Sequence, residues 1–258
     1  MKKKISFTTE EVKSANRKFY DLAYRVYEKA DGRRGEKLGL YLDRHLSHLS
    51  RESGGGSLLD LGCGSGFAGN RGRQFFARVT GVDLSPNIIK LANEHHPEID
   101  FIAADSEFLP FRDNSFDGVV AVALLHHLLE HHQFFAEVFR VLKHGGVLYT
   151  DHDLERRFRN ISRLPLALYR LGRDEEKRYR KACPQLTRQL YMATEIHREG
   201  LNPDRLIQAL HTAGFGDITV IYHWLGLSPV FDRIGHLLNR EGRCPRGFAP
   251  SLSIWARK

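Results

Sequence analysis

The chain is short of several features that would fix its class at once. It has three cysteines among 258 residues, Cys63, Cys183 and Cys244. They are too few and too scattered for a disulfide frame or a zinc ribbon, so a reducing compartment is expected, the cytoplasm by default. No apolar stretch follows the basic head at residues 1–4, so no secretory leader is expected. The longest apolar run, residues 118–129, is interrupted by His126 and His127 and is too short to cross a bilayer. There is no internal repeat and no low-complexity tract. What the chain has in excess is positive charge, formally +8 at pH 7, which raises nucleic acid as a partner. Much of it is local. Residues 152–198 hold twelve Lys or Arg against six Asp or Glu, interleaved with Leu and Tyr at helical spacing, the pattern of a solvated helix face.

The length suffices for a core on both faces of one sheet. Short β-like runs at 57–61, 78–83, 99–104, 116–122 and 147–151 alternate with helical stretches at 67–77, 86–95 and 131–142. Strand and helix in strict alternation predict a parallel sheet covered on both sides. The rhythm stops for about fifty residues, then resumes with a helix at 202–213 and strands at 217–224 and 250–257. Ahead of the sheet, residues 8–49 read as two helices, the first opening at a Thr9 cap with Glu10 and Glu11 in its first turn. Val12, Ala15, Phe19, Leu22 and Val26 form one apolar stripe, and Tyr20, Tyr24 and Tyr27 a second, so this helix has neighbours on two sides. The tyrosines are either core or the lining of a pocket.

The stretch LLDLGCGSGF, residues 58–67, sets Gly62, Gly64 and Gly66 directly after the first strand. A strand-to-helix turn at the carboxyl edge of a parallel sheet is where open α/β folds bind ligands, and glycine lets a ligand approach the backbone. A dinucleotide fingerprint needs a further glycine where Phe67 stands, so that reading fails by one residue. Asp83 ends the next strand about twenty residues on, the position of a ribose-binding carboxylate.

With LLDLGCGSG, VTGVDLSPNII, FIAADSEFLPFRDNSFDGVV and EVFRVLKHGGVLY in order across residues 57–149, the sequence resembles the class I S-adenosylmethionine-dependent methyltransferases, including those of ubiquinone and menaquinone biosynthesis. The resemblance implies a Rossmann-like, doubly wound sheet of seven strands in the order 3-2-1-4-5-7-6 with the seventh antiparallel, and S-adenosylmethionine as cofactor. It lays the cofactor along Asp60, Gly62, Cys63, Gly64, Gly66, Asp83, Leu84, Asp105 and Ser106. Asp83 takes the ribose hydroxyls, Asp105 the adenine amino group, and the Ser106 amide faces the ring. Cys63 is a small filler at a tight turn, not a nucleophile.

Methyl transfer needs nucleophile, carbon and sulfur in line, so most of the catalysis is positioning, with at most one base. Base candidates follow the strands: His126 and His127 after the fourth, Asp151, His152 and Asp153 after the fifth, and Glu195 with His197 before the chain rejoins the sheet. His127 and His197 are the first choices, with Tyr20, Tyr24, His126 and His152 lining the acceptor pocket. His126, His127, His131 and His132 cluster without a carboxylate or cysteine at ligand spacing, so no metal is expected, and His131 and His132 open a helix on its solvent side.

Residues 1–50 and a helical insertion at about 152–200 are expected to form a lid on a methyltransferase domain spanning 51–258. The acceptor is then a small molecule, partly apolar or acidic, methylated on oxygen. An RNA acceptor is the rival reading, although Ala121–Leu125 has no Asn/Asp-Pro-Pro-aromatic motif and no Pro-Cys pair occurs. A cofactor-binding protein without catalysis is the third.

Overall fold

The structure, a computed structural model, describes residues 7–28, 35–163, 175–197, 199–224, 233 and 244–258. The expected lid therefore lies outside the described residues at 1–6, 29–34, 164–174 and 198. In chain order come α1 (Thr9–Ala23), α2 (Glu36–Ser53), β1 (Ser57–Leu61), α3 (Phe67–Gly72), β2 (Arg78–Asp83), α4 (Pro86–His95), β3 (Asp100–Ala103), β4 (Phe116–Val122), α5 (His132–Val141) and β5 (Leu142–Leu154). There follow α6 (Arg156–Ile161), α7 (Glu175–Ala182), α8 (Arg188–Thr194), α9 (Pro203–Ala213), β6 (Gly216–His223) and β7 (Ser251–Arg257).

One seven-stranded sheet has the order β3-β2-β1-β4-β5-β7-β6, with β7 antiparallel to both of its neighbours. Every residue of β1 is buried, as a parallel strand sandwiched between helices requires. One face packs Leu59, Leu61, Val119 and Leu148 against α5 and α9, and the other packs Leu58, Val120 and Tyr149 against α2 and Phe76.

Local chemistry sets the ends of the elements. The cap of α1 is Thr8, one residue before the expected Thr9, and it closes a capping box with Glu11. Ser85 caps α4 ahead of Pro86, and Asn202 caps α9 ahead of Pro203. The first crossover helix is only Phe67–Gly72, well short of the expected 67–77, because its glycines serve contact and not helicity. A Cβ on Gly72 would stand 2.4 Å from a Leu58 methyl, so the helix is glycine-poor in stability where it must touch β1 closely.

β5 is longer than the 147–151 expected, since β7 pairs with it as far as Leu154 across a bulge between Thr150 and Asp153. His152 lies in that bulge at φ 66, and Ala123, just past β4, at φ 56. Left-handed backbone in two non-glycine residues at one sheet edge marks where the fold accepts strain.

The two N-terminal helices go to different places. Phe19 and Ala23 of α1 pack with Tyr179 of α7, Tyr191 of α8 and Leu186 between them, a small apolar cluster of their own. α2 instead lies on the sheet face, with Leu42, Leu46 and Leu49 in the main core. The tyrosine stripe also breaks, because α1 ends at Ala23 and Val26 turns back to its carbonyl, although the Tyr27 ring still meets Tyr20 edge-on at 5.6 Å. Among the described residues no helix is long and apolar enough to cross a membrane.

Candidate active site at the carboxyl edge of the sheet

The glycine turn after β1 is left-handed at all three positions, with φ of 67 at Gly62, 54 at Gly64 and 87 at Gly66. Side chains are excluded there twice over: a Cβ on Gly62 would sit 2.8 Å from Leu124, and one on Gly66 2.7 Å from Phe101. Asp60 does not face the turn's mouth with both oxygens, since its Oδ2 accepts the Gly69 amide at 2.8 Å and anchors α3. Cys63 is buried, its amide bonded to the Val82 carbonyl, which splices the turn to β2.

Asp83 stands beside the turn at the end of β2. Its Oδ2 accepts the Gly64 amide and its Oδ1 the Ser85 amide, each at 3.0 Å. A carboxylate oxygen has a second lone pair, so these bonds fix the group while leaving it able to accept hydroxyls. Leu84 follows, half-buried. Asp105 and Ser106, after β3, are half-buried too; Asp105 accepts the Glu107 amide at 2.9 Å and pairs with Lys13 Nζ at 2.7 Å. Lys13 also reaches Glu107 at 2.6 Å, tying α1 across this loop.

Asp21 fastens the other end of α1. Its Oδ1 accepts the Ser85 hydroxyl at 2.6 Å and the Asn87 amide at 3.2 Å, at the positive end of α4. Composition gave no hint of Lys13 or Asp21 as anchors, because a charged residue on an amphipathic helix reads as solvent-facing.

The histidines divide into two groups. In the first, the carbonyl of Thr194 can only accept, so the 2.9 Å contact from His127 Nδ1 puts the ring proton there and leaves Nε2 with its lone pair. Tyr20 donates its hydroxyl to that nitrogen at 3.0 Å, and Asn16 donates to the His127 carbonyl at 3.2 Å. Burial, reinforced by the neighbouring His126 imidazole, pushes His127 down to about 4. It is therefore neutral at physiological pH and a weak base.

His126 is held differently. Its Nδ1 meets Asp153 Oδ1 at 2.8 Å, and the same oxygen accepts its backbone amide at 3.0 Å. The carboxylate orients the ring with Nε2 as the basic nitrogen, and the residue keeps 22% of its side-chain surface exposed. Glu195, at the end of α8, brings a carboxylate to both histidines: one ligand-capable atom from each of the three lies within 4.8 Å of the others. His197 is a neighbour of this group, but its Nε2 donates to the Leu128 carbonyl at 2.8 Å. His131 turns inward, its Nε2 donating to the Leu125 carbonyl at 3.0 Å, while His132 is exposed. Tyr24 is not gathered here, since its hydroxyl accepts from Arg25 Nε at 2.7 Å.

The second group contains His152 and centres on Asp151, whose oxygens receive the Tyr41 hydroxyl at 2.7 Å, the Tyr149 hydroxyl, and His223 Nε2 at 2.8 Å. The His152 ring lies edge-on to Tyr41 at 5.5 Å. The bulge in β5 is what sends Asp151 and Asp153 to different groups. Sequence spacing named Asp151 but not Tyr41 or His223, which approach from 110 and 72 residues away.

Comparison with known proteins bears on the domain and its fold. Residues 59–150 match the model of a methyltransferase domain. A phthiotriol/phenolphthiotriol dimycocerosates methyltransferase of Mycobacterium ulcerans is 37% identical over 133 residues, 48% of this chain and 46% of that protein. A demethylmenaquinone methyltransferase of Paenarthrobacter aurescens is 32% identical over 170 residues, 64% of each. The chain thus matches about half the length of the first of these and under two thirds of the second. The crystal structure of the cyclase SpnF superposes over 96% of both chains with a TM-score of 0.61 at 20% identity, a likeness of fold.

Proposed function

Because residues 59–150 belong to the methyltransferase domain family and the sheet has the class I S-adenosylmethionine-dependent strand order, we propose that the protein transfers the methyl group of S-adenosylmethionine to a hydroxyl of a small, largely apolar acceptor. The observation that carries this is His126, backed by Asp153, beside the His127 ring that Tyr20 of α1 holds, at the sheet edge that also presents the bare glycine turn and Asp83. The chain's residues fit the cofactor: Gly62 and Gly66 hold a bare left-handed turn where a Cβ would collide with Leu124 and Phe101, and Asp83 is fixed for the ribose hydroxyls. When bound, the cofactor supplies an electrophilic methyl group on a sulfonium.

His126 Nε2 takes the acceptor's hydroxyl proton, and Asp153 stabilises the imidazolium that results. His127, held neutral, fixes Tyr20 and the loop and does not act as the base. The aromatic packing of Phe19, Tyr20, Tyr179 and Tyr191 supplies an apolar cover, so α1 with α7 and α8 is the lid, and α2 belongs to the body of the domain. A hydrophobic acceptor agrees with relatives named for phthiotriol and demethylmenaquinone substrates. Three free thiols suit a cytoplasmic setting.

Calorimetry with the demethylated cofactor product tests the cofactor site: Asp83→Ala should weaken binding about a hundredfold, by loss of charge-assisted bonds worth roughly 3 kcal/mol together. Undiminished binding would sink the ribose assignment. Labelled methyl from the cofactor, offered to a lipid extract and to total RNA side by side, should enter the lipid fraction. Label only in RNA overturns the acceptor class, and label in neither points to a binding protein without catalysis.

A further inference from the structure

We propose that His126, His127 and Glu195, with the Tyr20 hydroxyl as a fourth donor, bind a divalent transition-metal ion of the zinc type, and that this ion and the methyl acceptor exclude one another. The inference rests on the transferase reading for its second half only.

Two histidines alone are weak evidence, and Glu130, the carboxylate nearest them in sequence, is not part of the cluster. The fold supplies one from 68 residues away. The turn that ends α8 delivers the Thr194 carbonyl to His127 Nδ1 at 2.9 Å and sets Glu195 next to both rings. One ligand-capable atom from each of the three residues lies within 4.8 Å of the others. Zinc holds nitrogen and carboxylate ligands at about 2.0–2.2 Å, so small side-chain rotations close the set around an ion.

The outer contacts point the same way. A metal-binding imidazole gives its other ring N–H to a carboxylate or a backbone carbonyl, which fixes the tautomer and strengthens the donor. Both forms are present: Asp153 Oδ1 at 2.8 Å from His126 Nδ1, and the Thr194 carbonyl on His127. In its neutral form each ring then offers Nε2 as the ligand nitrogen. The Tyr20 oxygen, 3.0 Å from His127 Nε2, stands at the separation of two ligands on one ion, its proton turning aside or leaving as the metal enters. Two nitrogens with an oxygen donor suit zinc, cobalt or nickel better than magnesium or calcium.

The consequence is antagonism. An ion on His126 Nε2 occupies the lone pair assigned to the acceptor's proton, and it fills the space where that hydroxyl sits.

Equilibrium dialysis of the untagged full chain against zinc should give one ion per chain. Glu195→Gln and His126→Asn should each weaken binding more than tenfold, and Asp153→Asn by about 10–100-fold through the outer contact. His144→Asn, on an exposed residue, should leave it unchanged. Cobalt in place of zinc should show the intense visible bands of a four- or five-coordinate ion, altered in Tyr20→Phe, a variant that loses only a hydroxyl. Zinc should slow methyl transfer, with recovery on adding a chelator. No stoichiometric zinc, a cobalt spectrum like that of the free aqueous ion, or affinity equal in Glu195→Gln overturns the site; full transfer activity with zinc bound overturns the antagonism. Demethylated cofactor, titrated into the same samples, reports separately on the transferase reading: zinc without cofactor binding removes that reading and leaves the site, and cofactor binding without zinc does the reverse.

Discussion

Two clusters of the same side-chain types stand at the ends of neighbouring strands, and their surroundings separate them. Around Asp151, a carboxylate, two tyrosines and two histidines are shut between α2 and the sheet, with Asp151 fully buried and His223 only 4% exposed. Around Asp153, two carboxylates counting Glu195, a tyrosine and two histidines lie between a loop and α1, and His126 keeps 22% exposure. The first is built from elements locked in the main core and the second from a helix whose apolar contacts are largely its own cluster with α7 and α8. On the proposed function, a histidine–carboxylate pair serves as structure where it is sealed and as chemistry where it is open to solvent.

The largest expected effect falls on activity. His126→Asn should lower the methyl-transfer rate by about 10²–10⁴-fold while changing the unfolding free energy by under about 1 kcal/mol. A rate within tenfold of wild type would transfer the base role elsewhere. Asp151→Ala should do the opposite and cost roughly 3–5 kcal/mol in denaturant unfolding, because buried donors lose their common acceptor. If it were no less stable than His126→Asn, the distinction between the clusters would fail.

The pH dependence sharpens the same contrast. Burial alone would raise the Asp151 carboxyl, but His223 and His152 beside it outweigh that and hold it well below the usual carboxylate range. A depressed carboxyl stabilises the fold above its unfolded value, about pH 4, and loses that contribution as pH falls through the folded value. Wild type should therefore lose stability steeply below about pH 4, and Asp151→Asn should lose less over that range in acid unfolding curves. Smallest is Tyr41→Phe, which removes one bond to Asp151 and should cost about 1–2 kcal/mol in the same measurement.

Much of the frame was legible because it depends on neighbours in sequence. The Gly62–Gly66 turn, Asp83 at a strand end, and the Ser85-Pro86 and Asn202-Pro203 helix starts are local, and periodicity alone located β1, β2 and β4 to the residue. Misreadings arose where another element intervened. β5 outran its expected end because β7 pairs with it, and the short α3 ends at Gly72, where Leu58 packs too closely for a side chain.

The sequence by itself determined a parallel α/β sheet with a ligand turn after its first strand, since hydrophobic periodicity and glycine both act over a few residues. Only the tertiary structure decided which histidine is paired with a carboxylate and open to solvent, and which is sealed. That assignment depends on side chains more than twenty-five residues apart, Asp153 with His126 and His223 with Asp151, and on one bulge that sends acids two residues apart to different groups.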